Sequence, residues 1–333
     1  MKKLLVLLTV CLLALVVAVG CSATPAVNEE DAQLKVALCV SGPVNDGGFC
    51  AGAYEGLLLA EKDLGVAVSY TENVDITDIE AVFTDYASQG YDLIIGHGFQ
   101  FGDPALKVGE KYPDTKFVCT NANVESENVA SYELGGKDGS YVMGALAAYM
   151  TKTNKIGMIA GMEGPSQIKI IEGYKLGAKS VNPDIQIFYT FTGSFTDVAK
   201  GKDAAVAMID NGADVIAHCA NQAGMGGIKA AQEAGILATG NCDDQYEAAP
   251  DTIMCSDVWS TPGLIKAAVQ DVLDGKFEGG FHELGMAAGM VDIAPYHNFE
   301  DKIPQEVKDS IAKLVESIKT GELEVPSISE LTD

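Results

Sequence analysis

From Leu34 onward the chain alternates short apolar runs with longer amphipathic segments. The apolar runs have the length of strands and cover residues 34–40, 93–95, 117–119, 156–160, 185–189, 215–217 and 253–255. The amphipathic segments have apolar residues at helical spacing and include residues 51–64, 79–89, 139–150, 168–181, 200–211, 227–234, 263–273 and 305–319. Strands that alternate with helices predict βαβ units, and therefore parallel sheets with helices on both faces.

This pattern occurs twice along the chain. The run 34–40 leads into Gly42-Pro43, and the run 156–160 leads into Gly161 and then Gly164-Pro165. The repetition predicts an α/β protein with two doubly wound parallel-sheet lobes that are joined by a hinge. We expect the N-terminal lobe to comprise residues 34–130 and about 246–282, and the C-terminal lobe to comprise residues 131–245 and about 283–333.

The loops that follow the predicted strands are rich in Gly, Asn, Asp and His. They cover residues 41–49, 96–102, 161–167, 218–227 and 240–246. Ligands of open α/β sheets bind beyond the carboxyl ends of the strands, and glycine lets a backbone approach a ligand closely. We therefore expect a small-molecule site in the cleft between the lobes, with His97 as one of its polar residues.

The first residues of the chain predict export. Lys2 and Lys3 precede an apolar run, residues 4–19, which is too short to span a bilayer comfortably and is typical of a signal peptide over residues 1–20. The run closes with Ala18-Val19-Gly20-Cys21, which resembles a bacterial lipobox. Cys21 is then the lipidated residue, residues 21–33 are a tether, and the protein is held on the extracytoplasmic face of the cell membrane by the lipid alone. An ordinary cleaved signal with an incidental cysteine is the alternative.

Charge limits the partners. The net charge is −25, and all 22 basic residues are lysines, because the chain contains no arginine. So acidic a protein is a poor partner for nucleic acid or anionic lipid. The missing arginine also argues against a ligand held by its carboxylate or phosphate, since arginine is the residue best suited to bidentate anion binding. A neutral or weakly polar ligand is favoured.

The chain has eight cysteines. Cys11 lies in the predicted signal peptide and Cys21 is the candidate lipidation site, which leaves six others. They are scattered and form no CxxC pair, and several lie inside or at the end of apolar strand-like runs. A cysteine in such a run behaves as a small hydrophobic residue. We therefore expect mostly thiols in place of a disulfide framework.

Several segments share a specific pattern with one family of lipoproteins. In the first predicted lobe they are Gly42–Phe49 (GPVNDGGF), Gly90–Phe99 (GYDLIIGHGF) and Tyr112–Phe117 (YPDTKF). In the second they are Glu172–Ala178, Asn182-Pro183, Gly193–Asp197 (GSFTD), Gly212–Ile216 (GADVI), Asp243-Asp244-Gln245 and Ala249-Pro250. Together these segments, which extend over essentially the whole chain after the tether, resemble the basic membrane protein family, which includes purine nucleoside receptors and Med-type proteins.

The resemblance implies a type I periplasmic-binding-protein fold and a role as the substrate-binding subunit of an ABC importer. It implies a purine nucleoside or nucleobase held between two aromatic rings, by position Phe49 and Phe195. The polar contacts that it implies are Asn45, Asp46, Asp243 and Asp244, with Gly224 and Trp259 as further contacts. It implies an ABC permease and its ATPase as partners. We expect a monomer with no cofactor, no metal and no nucleic-acid partner.

The chain departs from the family pattern at three places. Ser41 and Gly42 stand where the nucleoside pattern has an early aspartate, Cys50 stands where Asn, Ser or Thr follows the stacking aromatic, and Cys242 stands where an acidic residue is frequent. These changes put recognition of a ribose in doubt. They favour a nucleobase or a non-purine ligand, while a nucleoside stays open.

Other readings of the same residues remain. Phe49, Phe195 and Trp259 are also compatible with core packing, and Asp46 with a helix cap. A metal site is disfavoured, since neither His97 nor His218 has a second ligand at suitable spacing except Cys219, which points to the opposite face of an extended strand. Motifs of hydrolases, P-loop proteins and zinc proteases are absent, so we expect no enzyme. A sugar-binding protein of the same fold and a ligand-sensing lipoprotein without a transport role are the alternative functions.

Overall fold

The computed structural model describes residues 33–45, 49–328 and 330–332. Its strands are β1 Lys35–Val40, β2 Ala67–Thr71, β3 Leu93–His97, β4 Lys116–Thr120, β5 Val129–Leu134, β6 Lys155–Ala160, β7 Gln186–Phe191, β8 Val215–Cys219, β9 Leu237–Gly240, β10 Ile253–Trp259, β11 Gly280–Leu284 and β12 Val291–Ile293. Its helices are α1 Phe49–Leu64, α2 Ile79–Ser88, α3 Gly102–Gly109, α4 Gly136–Met150, α5 Pro165–Val181, α6 Val198–Asp210, α7 Asn221–Ala234, α8 Thr261–Leu273 and α9 Gln305–Lys319.

The strands form two six-stranded sheets. The first sheet has the order β11-β5-β4-β3-β1-β2, and all of its neighbours are parallel. The second has the order β12-β10-β9-β8-β6-β7, and only the edge strand β12 runs antiparallel to its neighbour. We call the first sheet with α1, α2, α3 and α8 the first lobe, and the second sheet with α4, α5, α6, α7 and α9 the second lobe. The sequence prediction of an α/β fold with two doubly wound lobes is confirmed.

The central strands β3 and β8 are buried along their whole length. Each is covered by helices on both faces, so each must be apolar almost throughout, which produced the unbroken apolar runs in the sequence. His97 ends β3, and His218 is the penultimate residue of β8. The carboxyl ends of the two central strands thus each present a buried histidine.

The chain passes between the lobes three times, at Gly135, Ser260 and Gly285, and we call these three residues the hinge. The Gly135 N–H donates to Leu284 O at 2.9 Å, and the Ser260 N–H donates to Met290 O at 2.8 Å. The crossings therefore lie side by side. The described residues from Lys35 onward form one compact unit.

One expected boundary differs from the observed sheets. The sequence analysis assigned residues from about 246 to the N-terminal lobe, but β10 pairs with β9 and β12 in the second sheet. The chain leaves the second sheet only after Trp259. The reason is that residues 241–252 return the chain to the second sheet as β10, parallel to β9, so the crossing comes one strand later than the predicted boundary.

Pairs of helices within each lobe approach closely through glycine. In the first lobe, a Cβ added to Gly56 of α1 would lie 2.6 Å from Pro262 O at the start of α8. In the second lobe, Gly177 of α5 packs on the backbone of Tyr141 in α4, and Gly201 of α6 packs on the backbone of Ala223 in α7. Among the helices of the described residues, no span has the length and apolar character needed to cross a membrane.

Candidate functional site

Most of the predicted site residues that the structure describes lie near the carboxyl ends of strands. In the first lobe these are Phe49 and His97, beyond β1 and at the end of β3. In the second lobe they are Phe195, after β7, and Trp259, the last residue of β10. Both sets lie where open α/β sheets bind ligands.

Phe49 is held in place by His97. The two rings are stacked, with centroids 3.7 Å apart and planes inclined by 26°. His97 is 1% exposed, whereas Phe49 is 46% exposed, so the phenyl ring covers the imidazole and presents its other side outward. A large apolar ring with this exposure at the start of a helix is available for stacking with a ligand.

Hydrogen bonds define the protonation of His97. Its Nε2 lies 3.0 Å from Phe49 O, and its Nδ1 lies 2.8 Å from Thr120 Oγ1. A carbonyl oxygen only accepts, so Nε2 carries the proton. Thr120 Oγ1 accepts the Gly98 N–H at 3.0 Å and can donate its own proton to Nδ1. His97 therefore has both ring nitrogens in hydrogen bonds and supports Phe49 from behind.

Phe195 occupies the corresponding position in the second lobe. It lies over Gly161, at the end of β6, and a Cβ on Gly161 would overlap the phenyl ring. The loop that carries Phe195 is fixed at its far end, because Asp197 caps α6 by accepting the Ala199 and Lys200 N–H groups at 3.1 Å. Phe195 O also accepts the Ala223 N–H at 3.1 Å. The side chain is half-buried and well supported.

Trp259 lies at the hinge. Its ring packs on Gly136, the first residue of α4, where a Cβ would overlap the indole. Its Nε1–H donates to Asp257 Oδ2 at 2.6 Å. Asp257 also accepts the Asn241 Nδ2–H at 3.0 Å and is 1% exposed. The sequence analysis singled out Trp259 and missed Asp257 and Asn241.

Burial dominates the electrostatics of Asp257. Removal from water raises the pKa of its carboxyl to about 6, although the hydrogen bonds from Trp259 and Asn241 favour the charged form. Asp257 also lies beside the first turn of α4, where a Cβ on Gly139 would lie 2.6 Å from Asp257 Cβ. A carboxylate at a helix N-terminus is stabilised by the helix dipole.

His218, near the end of the central strand β8, is neutral. Burial lowers the pKa of His218 to about 4, even though a hydrogen bond to Gln245 favours the protonated form. The His218 Nε2–H donates to Gln245 Oε1 at 2.9 Å. Gly224 is buried under this imidazole, where any Cβ would overlap the ring. This packing explains a glycine at position 224 without a ligand.

The remaining predicted residues are dispersed. Asn45 and Asp243 are exposed. Asp244 is engaged within the second lobe, where it accepts the Tyr246 N–H at 3.3 Å and pairs with His297 at 2.7 Å. Asp46 and Cys21 lie outside the described residues. Asp244 thus stabilises a turn within the second lobe.

Lysines at the boundary between the lobes are paired with acids. Lys169 of α5 lies 2.8 Å from Glu133 of β5, which also accepts a hydrogen bond from Ser166. Lys137 of α4 lies 2.6 Å from Glu283 of β11. Glu133 and Glu283 are partners in the first sheet, so two carboxylates of one lobe face two ammonium groups of the other.

Within the described ranges, no group of three or more His, Cys, Asp or Glu side chains could hold a metal ion. The six cysteines described there form no disulfide, and all except Cys242 are buried. Burial raises the pKa of the Cys39, Cys119, Cys219 and Cys255 thiols. The arrangement is therefore one of partly exposed aromatic rings supported by histidine, glycine and a hydrogen-bonded carboxylate, which suits binding of a flat molecule.

Comparison with known proteins identifies the family. Residues 33–329 match the family described as ABC transporter substrate-binding protein PnrA-like. A purine-binding protein from Brucella abortus is 32% identical over 296 residues, which cover 87% of this chain and 82% of the relative. An ABC transporter nucleoside-binding protein, BmpA, from Lactococcus lactis is 29% identical over 353 residues, which cover 98% of this chain and 99% of the relative.

Solved structures have the same fold. A solute-binding protein of an ABC transporter system from Aeropyrum pernix superposes with a TM-score of 0.70 at 25% identity, over 88% of this chain and 94% of that chain. A protein from Bacillus halodurans described as a transcriptional activator of the comK gene gives a TM-score of 0.76 at 28% identity, over 88% of this chain and 99% of that chain. The chain therefore belongs to the PnrA-like, or basic membrane protein, family, and is an ABC-transporter substrate-binding protein with a type I periplasmic-binding-protein fold.

Proposed function

We propose that this protein is a lipid-anchored receptor that captures a purine nucleoside or nucleobase in the cleft between its lobes. The observation that carries the proposal is the pair of supported aromatic rings, Phe49 on His97 and Phe195 on Gly161. One ring projects from each lobe near the carboxyl ends of the strands. Two relatives are named as a purine-binding and a nucleoside-binding protein, which supports the same class of ligand for this chain.

The proposed mechanism is closure of the two lobes about the hinge. A planar base enters the open cleft and stacks on Phe49, and rotation of the second lobe brings Phe195 against its other face. Stacking of a base on an aromatic side chain contributes about 1–3 kcal/mol and tolerates different bases. Specificity then depends on polar groups at the ring edge, for which we propose Asn45, Asp46 and Asp243. The closed form delivers the ligand to the permease.

The ligand can be identified by calorimetry with adenine, hypoxanthine, adenosine, inosine and guanosine, with glucose and galactose for comparison. We expect micromolar or tighter binding of at least one purine and no heat with the sugars. Binding of a sugar in the absence of purine binding would establish the alternative function. Native mass spectrometry of freshly purified protein gives an independent identification, since a retained ligand adds its own mass.

The aromatic sandwich is tested by Phe49→Ala and Phe195→Ala. Each loses one stacking partner, so we expect the affinity for the bound purine to fall about 5- to 100-fold. Tyr70→Ala is the matched control, because Tyr70 is 44% exposed on β2, at the opposite edge of the first sheet from the hinge strands, and should leave the affinity unchanged. Unchanged affinity in both phenylalanine variants, with thermal stability preserved, would refute the sandwich.

Lipid attachment is tested by Cys21→Ser. The wild-type protein should partition into Triton X-114 detergent and carry the mass of acyl chains on its first residue, whereas the variant should remain in the aqueous phase. Partition of both proteins into the aqueous phase would show instead an ordinary cleaved signal. Either result leaves the purine-binding measurement unaffected.

A further inference from the structure

Trp259 lies at the hinge, beside the cleft in which we propose that the ligand binds. This residue is the last of β10 and precedes Ser260, where the chain crosses to the first lobe. Its indole packs flat on Gly136, which itself follows another crossing at Gly135. The ring therefore lies between two of the three connections on which the lobes rotate.

The only hydrogen-bond donor of the indole is used in its bond to Asp257. An indole has one polar hydrogen, on Nε1, and here it points to Asp257 Oδ2 at 2.6 Å. The part of the ring that remains is a flat apolar surface. Such a surface suits the face or edge of a planar ring, whereas a sugar hydroxyl placed against it would lose its hydrogen bonds with water and gain none.

The Asp257 carboxylate is held by hydrogen bonds from Asn241 and Trp259 and by close packing on α4. Both of its carboxylate oxygens accept from Asn241 Nδ2, at 3.0 and 3.2 Å, so the Asn241 amide is oriented with its oxygen directed away. That oxygen accepts from Cys242 Sγ at 3.2 Å. On the opposite side, Gly139 of α4 leaves no space for a side chain. A carboxylate at 1% exposure is costly unless it is hydrogen-bonded, and here the donors are two side chains of the second lobe.

We infer that Asp257 is a positioning residue of the binding site, which fixes the Trp259 indole as an apolar wall at the hinge and so selects a planar ring over a polyhydroxylated one. Asp257 does not touch the ligand and acts through the indole N–H. The inference rests on the proposed function for the class of ligand, whereas the placement of the indole is independent of it.

The chain provides its own reporter, because Trp259 is its only tryptophan. The ligand-free protein should give one indole N–H signal in a ¹⁵N-correlation spectrum, shifted downfield by the bond to a carboxylate. In Asp257→Asn this signal should move upfield, and the tryptophan fluorescence should change with it. An unmoved signal would overturn the placement of the indole by Asp257, whether or not a purine binds.

A double-mutant cycle tests the effect on binding. With the purine that binds the wild type most tightly, Asp257→Asn should weaken affinity about 10-fold, which is the loss expected when a charge-assisted hydrogen bond is removed. Trp259→Phe keeps an aromatic ring but lacks the N–H. If Asp257 acts through the indole, adding Asp257→Asn to Trp259→Phe should change affinity less than about 2-fold. Equal effects in both backgrounds would overturn the inference.

Should Asp257→Asn fold poorly, the wild type supplies the second measurement. Burial raises the pKa of Asp257 to about 6, so the indole signal should titrate between pH 7 and pH 5. A signal that stays constant over this range would count against the inference. If no purine binds the wild type, the proposed function fails, while the indole signal still decides whether Asp257 positions the ring.

Discussion

Both central strands have a buried histidine near the carboxyl end, His97 in β3 and His218 in β8. Each lies at the carboxyl end of a central strand, is nearly inaccessible, and places its Nε2 against an oxygen that can only accept, Phe49 O and Gln245 Oε1. Both rings therefore carry a proton on Nε2, and burial favours the neutral form of His218. The two imidazoles are rigid supports at the carboxyl ends of the central strands.

At the residue scale, the acid dependence of stability can be predicted from Asp257. Its folded pKa of about 6 lies above the ordinary value of 3.8, so the folded state binds the proton more tightly than the unfolded state. Relative to Asp257→Asn, the wild type should therefore gain stability as pH falls from 7 to 4, by about 2 kcal/mol. Urea unfolding of both proteins at several pH values measures this difference.

The lowered pKa of His218 makes stability fall as pH falls, opposite to the effect of Asp257. The comparison with Asp257→Asn is therefore needed to isolate the contribution of Asp257. The folded pKa of His218, about 4, lies below the ordinary value of 6.5, so its contribution to stability is present above pH 6.5 and is lost as pH falls towards 4. In the wild type the two groups offset one another. A stability difference between wild type and Asp257→Asn that is independent of pH would contradict the raised pKa of Asp257.

The family resemblance named Phe49, Phe195 and Trp259 as ligand contacts, and these contacts stay predictions. The structure places each of the three residues near the carboxyl end of a strand. Sequence reasoning missed Asp257 and Asn241, because each becomes part of the site only through pairing between residues far apart in the chain. A signal was present, since Asp257 is the one charged residue in β10 (IMCSDVW). A carboxylate in a buried strand requires donors, and Trp259 and Asn241 supply them.

At the element scale, several secondary structures could be predicted because periodicity and burial agree. α9 was predicted with its observed bounds, as its apolar residues face the second lobe at helical spacing. The edge strands β2 and β11 were missed, because they are half-exposed and contain no apolar run. α3 was missed because its eight residues (GDPALKVG) include two glycines and a proline. Packing, which a local pattern does not contain, decides these elements.

Close packing of α1 on α8 leads to a prediction about Gly56. A Cβ at this position would meet Pro262 O at 2.6 Å and Ile265 Cβ at 2.8 Å, both on α8. The two helices would have to separate, so Gly56→Ala should lower the free energy of unfolding by about 1–3 kcal/mol. Chemical denaturation measures the change.

Gly52, one turn earlier in α1, is the matched control. A Cβ there would lie 3.3 Å from the Thr261 side chain, which can adjust. Alanine is the better helix former, so Gly52→Ala should stay within about 1 kcal/mol of the wild type. Equal destabilisation by both substitutions would contradict the expected difference between the tight contact at Gly56 and the looser contact at Gly52.

At the scale of the whole molecule, charged residues connect the lobes beside the hinge. Glu133 and Glu283 are register partners in the first sheet, and each is neutralised by a lysine of the second lobe, Lys169 and Lys137. Two adjacent carboxylates repel each other when their partners leave. The pairs therefore favour the relative orientation of the lobes in which all four charges are matched.

Breaking one of these pairs should shift the balance between lobe orientations. In Glu133→Gln we expect the ligand-free protein to open, with a larger radius of gyration in small-angle X-ray scattering, and ligand affinity to fall roughly 5-fold, about 1 kcal/mol. Lys107→Gln is the control, since its pair with Glu80 is exposed and lies within the first lobe. The prediction is wrong if both variants have the scattering profile of the wild type.

The three crossings at the hinge also determine the order in which the fold can be completed. β11 fills the edge of the first sheet beside β5, yet it comes after all the strands of the second sheet except β12. A chain that emerges from the ribosome N-terminus first therefore holds β5 without its neighbour until residues 280–284 have been synthesised. The first lobe is therefore completed only after most of the second lobe has been synthesised.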